Sequence, residues 1–291
     1  MEQITLKSFA KINLYLKAGS KRPDGYHNIK TIFQTIDLAD EVTISKTSSD
    51  ITLICNHPEV PLDNRNIAYK AAELILKKNK IKTGLNIIIK KNIPVTAGLG
   101  GGSSNAAVVL NGCNRIFGLK YSESKLEELA LELGSDVPFL LKGGTVLGEG
   151  RGEILTDFRP VADTWVVLVI EGNKPSTGRI YSEFTNTLTN AKVSDKKLEE
   201  FKLVKEAKGG DLVKLLYNNL EVPAAKFFPV LFKVKKDLLE AGAIGALMSG
   251  SGPTVFGVAE SKAKAEYIAS KLKEKYERVI PAKTVKTGAG S

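Results

Sequence analysis

Cysteine, histidine and long apolar runs are all scarce in this 291-residue chain, and each scarcity closes off a class of function. Cys55 and Cys113 are the only cysteines, and His27 and His57 the only histidines. Neither a disulfide framework nor a His/Cys zinc cluster can be built from them. The longest unbroken apolar run, Trp165 to Ile170, has six residues, against the roughly 20 that a membrane helix requires. The opening segment MEQITLKSFAKINLYL lacks the layout of a signal peptide, so a cytoplasmic protein with no membrane partner is expected. No period of 20 to 50 residues recurs and no low-complexity tract appears, which excludes solenoids and long linkers.

What is present is ordinary for a soluble globular chain: 43% hydrophobic, 25% charged and 7% aromatic residues. The formal charge of +10 fits nucleic acid, an anionic metabolite, or nothing specific. Its distribution favours the last two. Lys77, Lys78, Lys80, Lys82, Lys90 and Lys91 crowd one stretch without an acid, whereas residues 101 to 150 carry four basic and six acidic side chains. That is a patchy surface with solvated lysine faces, not a polymer track, and it lacks the aromatic-basic interleaving of single-strand binders.

The pattern reads as mixed α and β. Ile4, Leu6, Ala10, Ile12, Leu14 and Leu16 alternate with Lys7, Lys11, Asn13 and Tyr15, the period of a half-buried strand that puts Lys11 and Asn13 on one face. Strands are predicted at 29–36, 41–45, 51–54 and 85–90, and a helix at 67–79. Further helices are predicted from Ser103 to Phe117, and from Ser124, through a capping box with Glu127, to Gly134. After a buried strand at 165–170, helices at 194–206, 211–219 and 229–241 precede a strand, glycine turn, strand, helix and strand. A boundary falls near 155–165, and the terminal GAGS reads as a loose tail.

The densest functional signal runs from Pro94 to Ala107, between a strand and a helix. Glycines allow close backbone approach, and the following helix N-terminus presents free N–H groups and a positive dipole, which together make an anion cradle. Ser103 and Ser104 are placed to cap the helix or to offer hydroxyls to phosphate oxygens or a bound Mg²⁺. The P-loop pattern is absent, since no lysine follows the glycines until Lys120. The dinucleotide fingerprint fails because Ser103 stands where its third glycine belongs. No serine lies in a nucleophile elbow. A second glycine turn, Met248 to Thr254, reads either as a hairpin or as another grip on the same anionic ligand.

Three segments, in order along most of the chain, resemble the motifs of the GHMP (galactose, homoserine, mevalonate and phosphomevalonate) small-molecule kinases. They are Ala10-Lys11-Ile12-Asn13-Leu14, the loop Pro94-x-x-x-Gly98-Leu99-Gly100 through Ser103-Ser104, and Ser249-Gly250-Ser251-Gly252-Pro253-Thr254. Arg22-Pro-Asp-Gly-Tyr-His27, the triple glycine Gly100 to Gly102, and Leu133-Gly-Ser-Asp136-Val-Pro138 narrow the resemblance to members whose acceptor carries a cytidine diphosphate, on the non-mevalonate route to isoprenoid precursors. Most other members read G-L-G-S-S, without the inserted glycines.

The resemblance implies a two-domain α/β fold with the active site between the domains. Residues 1–160 would form an N-terminal ATP-binding domain akin to a domain of ribosomal proteins, and 161–291 a C-terminal ferredoxin-like domain. It makes Lys11 and Asp136 the catalytic pair, with Asp136 taking the acceptor's hydroxyl proton. Pro94, Val95, Thr96, Ala97, Gly98, Leu99, Gly100, Gly101, Gly102, Ser103 and Ser104 would hold the triphosphate of ATP, with Asn66 near the adenine. Asn13, Tyr26, His27 and Thr177 would hold the acceptor. Mg²⁺ is expected with ATP, its ligands unassigned, because the acidic ligand of other members has no counterpart here. A monomer or weak homodimer is expected. The rivals are a kinase of the same family acting on mevalonate or homoserine, and a ligand-sensing homologue without turnover.

Overall fold

A computed structural model describes residues 2–161, 163–172, 176–190 and 212–289. They fall into two compact units, one of residues 1–11, 35–144 and 285–291, the other of 12–34 and 145–284.

The first unit holds the start of strand β1 (Gln3–Lys21) and the end of β2 (His27–Thr47), with β3 (Ile51–Cys55) and β4 (Gly84–Lys90). Within it β4 runs antiparallel to β2, with Glu41 opposite Lys90, and parallel to β3, with Ile51 opposite Leu85. Leu85, Ile87 and Ile89 are buried while Ile88 is exposed, the period-2 alternation of a sheet packed on one face. That face is covered by α1 (Ile67–Lys78) and α2 (Gly101–Ile116). The helix α2 comes so close that a Cβ at Gly112 would lie 2.4 Å from Ile44 Cδ1. Helices α3 (Glu123–Leu133) and α4 (Val137–Lys142) complete the unit.

The second unit contains β5 (Thr145–Glu149) and β6 (Ile154–Asp157), a hairpin whose first strand pairs with Thr31–Gln34 of β2. Here too are β7 (Trp165–Ile170), α5 (Thr177–Asn190), α6 (Leu212–Leu215), β8 (Tyr217–Asn218), α7 (Glu221–Ala225) and α8 (Leu231–Glu240). The chain continues through β9 (Gly245–Met248), β10 (Val255–Ala259), α9 (Lys262–Leu272) and β11 (Arg278–Lys283). The four-stranded antiparallel sheet has the order β11-β7-β10-β9. Counting its strands along the chain, this is 4-1-3-2, the order of a ferredoxin-like sheet. Val167 and Val169 of β7 pack into a core with Leu231, Val234 and Leu238 of α8 and Ile268 and Leu272 of α9.

Several expectations need correction. The strands predicted at 29–36 and 41–45 are one continuous β2. Strand β1 is buried on both faces from Ser8 to Leu16, so Lys11 is not a surface strand lysine. Helix α3 is capped by Ser122, whose Oγ accepts from the Lys125 N–H at 3.3 Å, two residues before the predicted start. The helix predicted at 211–219 stops at Leu215, because Tyr217 and Asn218 pair in parallel with Tyr15 and Leu16. The helix predicted at 194–206 lies outside the described residues. The tail is not loose at its start: Ala289 is buried and its N–H donates to the Leu140 carbonyl at 2.9 Å. The Lys91 side chain, read as part of a solvated lysine face, is buried against Asp40. Cys113 is buried on α2, and burial pushes its thiol up to about 12, whereas Cys55 is only half-buried.

Candidate active site

In the first unit, the chain leaves β4 and reaches α2 through the glycine loop. Thr96, Gly98 and Gly100 all sit at positive φ, +57°, +78° and +72°. Gly100 is the N-cap of α2, so Gly101 and Gly102 form its first turn and the helix opens two residues before the predicted Ser103. The Ser104 N–H donates to the Gly100 carbonyl at 2.9 Å. The amides of Gly101, Gly102 and Ser103 precede that bond and have no partner within the helix, and the dipole adds positive potential there. Neither Ser103 nor Ser104 caps the helix. Ser104 is buried, and its Oγ accepts from Ser8 Oγ at 2.8 Å. Of the two serines, half-buried Ser103 is the one placed to meet a ligand.

The glycines differ in why they are needed. A Cβ on Gly100 would sit 3.0 Å from Lys11 Cγ and 3.2 Å from Leu140 Cδ1, on top of its left-handed backbone. A Cβ on Gly101 would meet Ile93 and Lys91, each at 3.0 Å. Gly102 has its nearest neighbour at 3.9 Å.

Lys11 lies across this loop. Its backbone N–H donates to the Leu99 carbonyl at 2.9 Å, and its side chain runs over Gly100 to place Nζ 3.7 Å from Asp136 Oδ2. Lys11 is 5% exposed, whereas the Asp136 side chain is 37% exposed. Asp136 occupies the N-cap of α4, yet its carboxylate makes no capping hydrogen bond. Pro138 in the first turn reduces what a cap must satisfy. The carboxylate faces the lysine instead of closing its own helix.

In the second unit, Asn13 is buried, with Nδ2 donating to Thr31 Oγ1 at 2.8 Å and its backbone N–H to Ser249 Oγ at 3.3 Å. The second glycine turn is a hairpin loop between β9 and β10, but a buried one: Ser249 and Thr254 are inaccessible, and Gly250 and Gly252 have φ of +58° and +78°. It is held by two residues that sequence patterning does not reveal. Asn218 Nδ2 donates to the carbonyls of Met248 and Gly250 at 2.9 and 2.8 Å, and Glu221 Oε1 accepts from the Met248 N–H at 2.9 Å. They lie in an unremarkable Asn-Asn-Leu-Glu stretch, and only pairing of β8 with β1 brings them there. Thr177 opens α5, and its Oγ1 lies 3.2 Å from Ser251 Oγ.

Tyr26 and His27 have opposite environments. Tyr26 is 55% exposed, with the Arg151 guanidinium 4.9 Å from its ring centroid. His27 is buried, Nε2 lies 2.8 Å from Thr185 Oγ1, and its ring sits 5.2 Å from Tyr181 and 5.9 Å from Phe184. Burial, with a smaller contribution from the Lys21 ammonium, holds the His27 ring below the usual histidine range of 6.5. The unfolded chain therefore takes up a proton that the folded chain refuses, and stability falls as pH drops from about 6.5 toward the lowered folded value. His27→Gln removes this loss. Thermal melts at about pH 8 and pH 5.5 should show a larger drop for the native protein than for the variant, and equal drops would contradict the reading.

Asn66 caps α1, with Oδ1 accepting from the Ala68 N–H and Nδ2 donating to the Pro61 carbonyl, both at 2.9 Å. Its side-chain amide thus already serves the helix. For Mg²⁺, the hard-oxygen donor beside the free amides is the half-buried Ser103 hydroxyl. A magnesium ion carried on ATP phosphates requires few protein ligands, so this residue fits it. No group of three or more His, Cys, Asp or Glu side chains suited to a metal occurs among the described residues.

Comparison with known proteins shows the family. The GHMP kinases N terminal domain model matches residues 66–144, and the GHMP kinases C terminal model matches 201–278. A 4-diphosphocytidyl-2-C-methyl-D-erythritol kinase of Alkaliphilus oremlandii (strain OhILAs) is 43% identical over 273 residues, 92% of each chain. One from Synechococcus sp. (strain JA-3-3Ab) is 44% identical over 277 residues, 91% of this chain and 88% of that one. Among solved structures, a 4-(cytidine 5'-diphospho)-2C-methyl-D-erythritol kinase superposes with a TM-score of 0.80 at 31% identity, covering 99% of this chain and all of the other. The homoserine kinase from Cytophaga hutchinsonii ATCC 33406 shares the fold at a TM-score of 0.76 with 18% identity, covering 99% of this chain and 97% of that one.

Proposed function

The chain belongs to the GHMP kinase family, and on that footing we propose that it transfers the γ-phosphoryl group of ATP to the 2-hydroxyl of 4-diphosphocytidyl-2-C-methyl-D-erythritol. This is an ATP-dependent step of the non-mevalonate route to isoprenoid precursors. The observation that carries the chemistry is the part-exposed Asp136 carboxylate 3.7 Å from the buried Lys11 ammonium, beside a helix N-terminus with unpaired amides. Relatives at 43 and 44% identity over nine-tenths of the chain carry the choice of acceptor.

Phosphoryl transfer requires little covalent work from the protein; the attacking and leaving oxygens must be in line and the equatorial charge compensated. Asp136 accepts the hydroxyl proton as the new O–P bond forms and the bond from the γ-phosphorus to ADP breaks. Lys11 holds Asp136 in place and offsets charge on the transferring group. The amides of Gly101, Gly102 and Ser103 bind phosphate oxygens, and Asn66 lies toward the adenine. Ser103 would hold Mg²⁺, which when bound neutralises phosphate charge. Asn13 positions the hydroxyl, Tyr26 offers a face to the pyrimidine, and His27 and Thr177 fix the rest of the acceptor. In this reading residues 1–160 carry the nucleotide-binding part, and the enzyme works in the cytoplasm as a monomer or weak homodimer. Among the described residues no helix is long and apolar enough to cross a membrane.

The test is ATP consumption, with Mg²⁺, against 4-diphosphocytidyl-2-C-methyl-D-erythritol, mevalonate and homoserine. Turnover with the cytidyl acceptor alone is expected. Turnover with another acceptor would overturn the substrate, and ATP binding without turnover on any would indicate a sensing homologue.

A further inference from the structure

Beneath the glycine loop lies a buried polar network that the chemistry above does not use. Its centre is Asp40, on β2, 1% exposed, with both carboxylate oxygens engaged. Oδ1 accepts the backbone N–H groups of Asn92 and Ile93, each at 2.8 Å. Oδ2 accepts from the Lys91 ammonium and, at 2.9 Å, from Asn105 Nδ2. Asn105 Nδ2 also donates to Ser8 Oγ at 2.8 Å, and Ser8 Oγ donates to Ser104 Oγ at 2.8 Å. One carboxylate thus ties residues 91–93, which enter the loop, to residues 104 and 105, which leave it. The intervening Pro94–Ser103 stretch includes three residues at positive φ and is closed at its base by this clamp.

The chemistry argues for placement over stability. A buried ion pair is on average no more stabilising than apolar side chains of the same volume, so its gain must be sought in the geometry it imposes. Lys91 Nζ also lies 3.0 Å from the position a Cβ would take on Gly101. Its charge therefore sits under the first turn of α2, within a few ångströms of the amides that face the ligand. The glycine at 101 makes room for that cation as well as for Ile93.

We infer that Asp40, acting through Lys91, Asn105 and the amides of Asn92 and Ile93, is a positioning residue that holds the loop in the conformation that receives the phosphates of ATP. The inference rests on the reading of this loop as the ATP-phosphate site. It predicts that ATP affinity, not the chemical step, depends on Asp40.

Calorimetric titration of ATP with Mg²⁺ onto the native protein and Asp40→Asn, with no acceptor present, tests it. The dissociation constant is expected to rise about tenfold in the variant, the scale of losing one hydrogen bond to a charged group. At saturating ATP, kcat should stay within about twofold of native and KM for the acceptor should be unchanged. A purely structural role would instead lower the melting temperature and the fraction of sites filled while leaving the dissociation constant unmoved, and that result overturns the proposal. If Asp40→Asn does not fold, Asn105→Ala decides by the same readout, because it keeps the ion pair and cuts only the strut to α2. A native protein that takes up no ATP refutes the phosphate-loop reading, and this inference with it.

Discussion

Asp136→Asn is expected to lower kcat by about 10²–10⁴-fold, the range of a lost general base, while KM for ATP changes little. The substitution keeps shape and volume and removes only the ability to accept a proton. Folding should survive it, since the Asp136 side chain makes no cap hydrogen bond and α4 is seated through Val137, Phe139 and Leu140, all buried. Lys11 loses its carboxylate partner but keeps its backbone bond to Leu99 and its packing over Gly100. Initial rates at saturating ATP and acceptor, alongside a melting curve, separate loss of chemistry from loss of fold. A variant within tenfold of native kcat would remove Asp136 from the role of base.

Gly288→Ala is expected to destabilise the first unit by about 2–4 kcal/mol, the range of severe core misfits. At this position a Cβ would lie 2.5 Å from the Leu141 carbonyl oxygen and 2.6 Å from the Lys142 carbonyl, and backbone cannot rotate away as a side chain can. Facing it, Gly143 closes α4 at φ +74°, and a Cβ there would lie 2.2 Å from Gly288. The tail is fixed on either side by Ala289 N–H to the Leu140 carbonyl, by Asn111 Nδ2 to the Ala289 carbonyl, and by Val285 N–H to the Thr35 carbonyl, each at 2.9 Å. Since α4 carries Asp136 at its other end, the C-terminal residues buttress the helix on which the base is mounted. The melting temperature should fall by about 5–10 °C. An unchanged value would mean that the tail does not pack against α4.

The glycine loop was legible before the fold because its chemistry is local: consecutive glycines after a strand and before a helix leave few conformations other than an exposed helix N-terminus. The helix start was misplaced by two residues for a local reason as well. Serine is the usual cap, but a left-handed glycine at 100 performs the turn, and Ser104 is drawn down to Ser8. Strand β1 was recognised by its alternation, yet its polar face was assigned to solvent. Period-2 patterning reports which residues share a face, not what covers that face, and here the loop carbonyl of Leu99 lies over Lys11.

Residues that act through partners far away in sequence left no comparable trace. Asp40 is one of three acids in Asp-Leu-Ala-Asp-Glu, and nothing near it marks Lys91, Asn105 or Ser8 as its neighbours. Asn218 looks like a helix residue until β8 pairs with β1. Nothing in the sequence around His27 shows its environment, and only packing against Tyr181 and Phe184 places it inside.

The sequence by itself therefore determined the class of fold and the family, and marked the glycine loop as a candidate anion cradle, because these rest on residue types at short, fixed spacing. The tertiary structure alone decided that Lys11 is buried, that Asp136 faces it instead of capping α4, and that one carboxylate at position 40 clamps both ends of the loop. Those depend on contacts across 52 to 125 residues of chain, such as Lys11 to Asp136 and Asp40 to Asn92, and no local pattern encodes which distant donor a buried oxygen will meet.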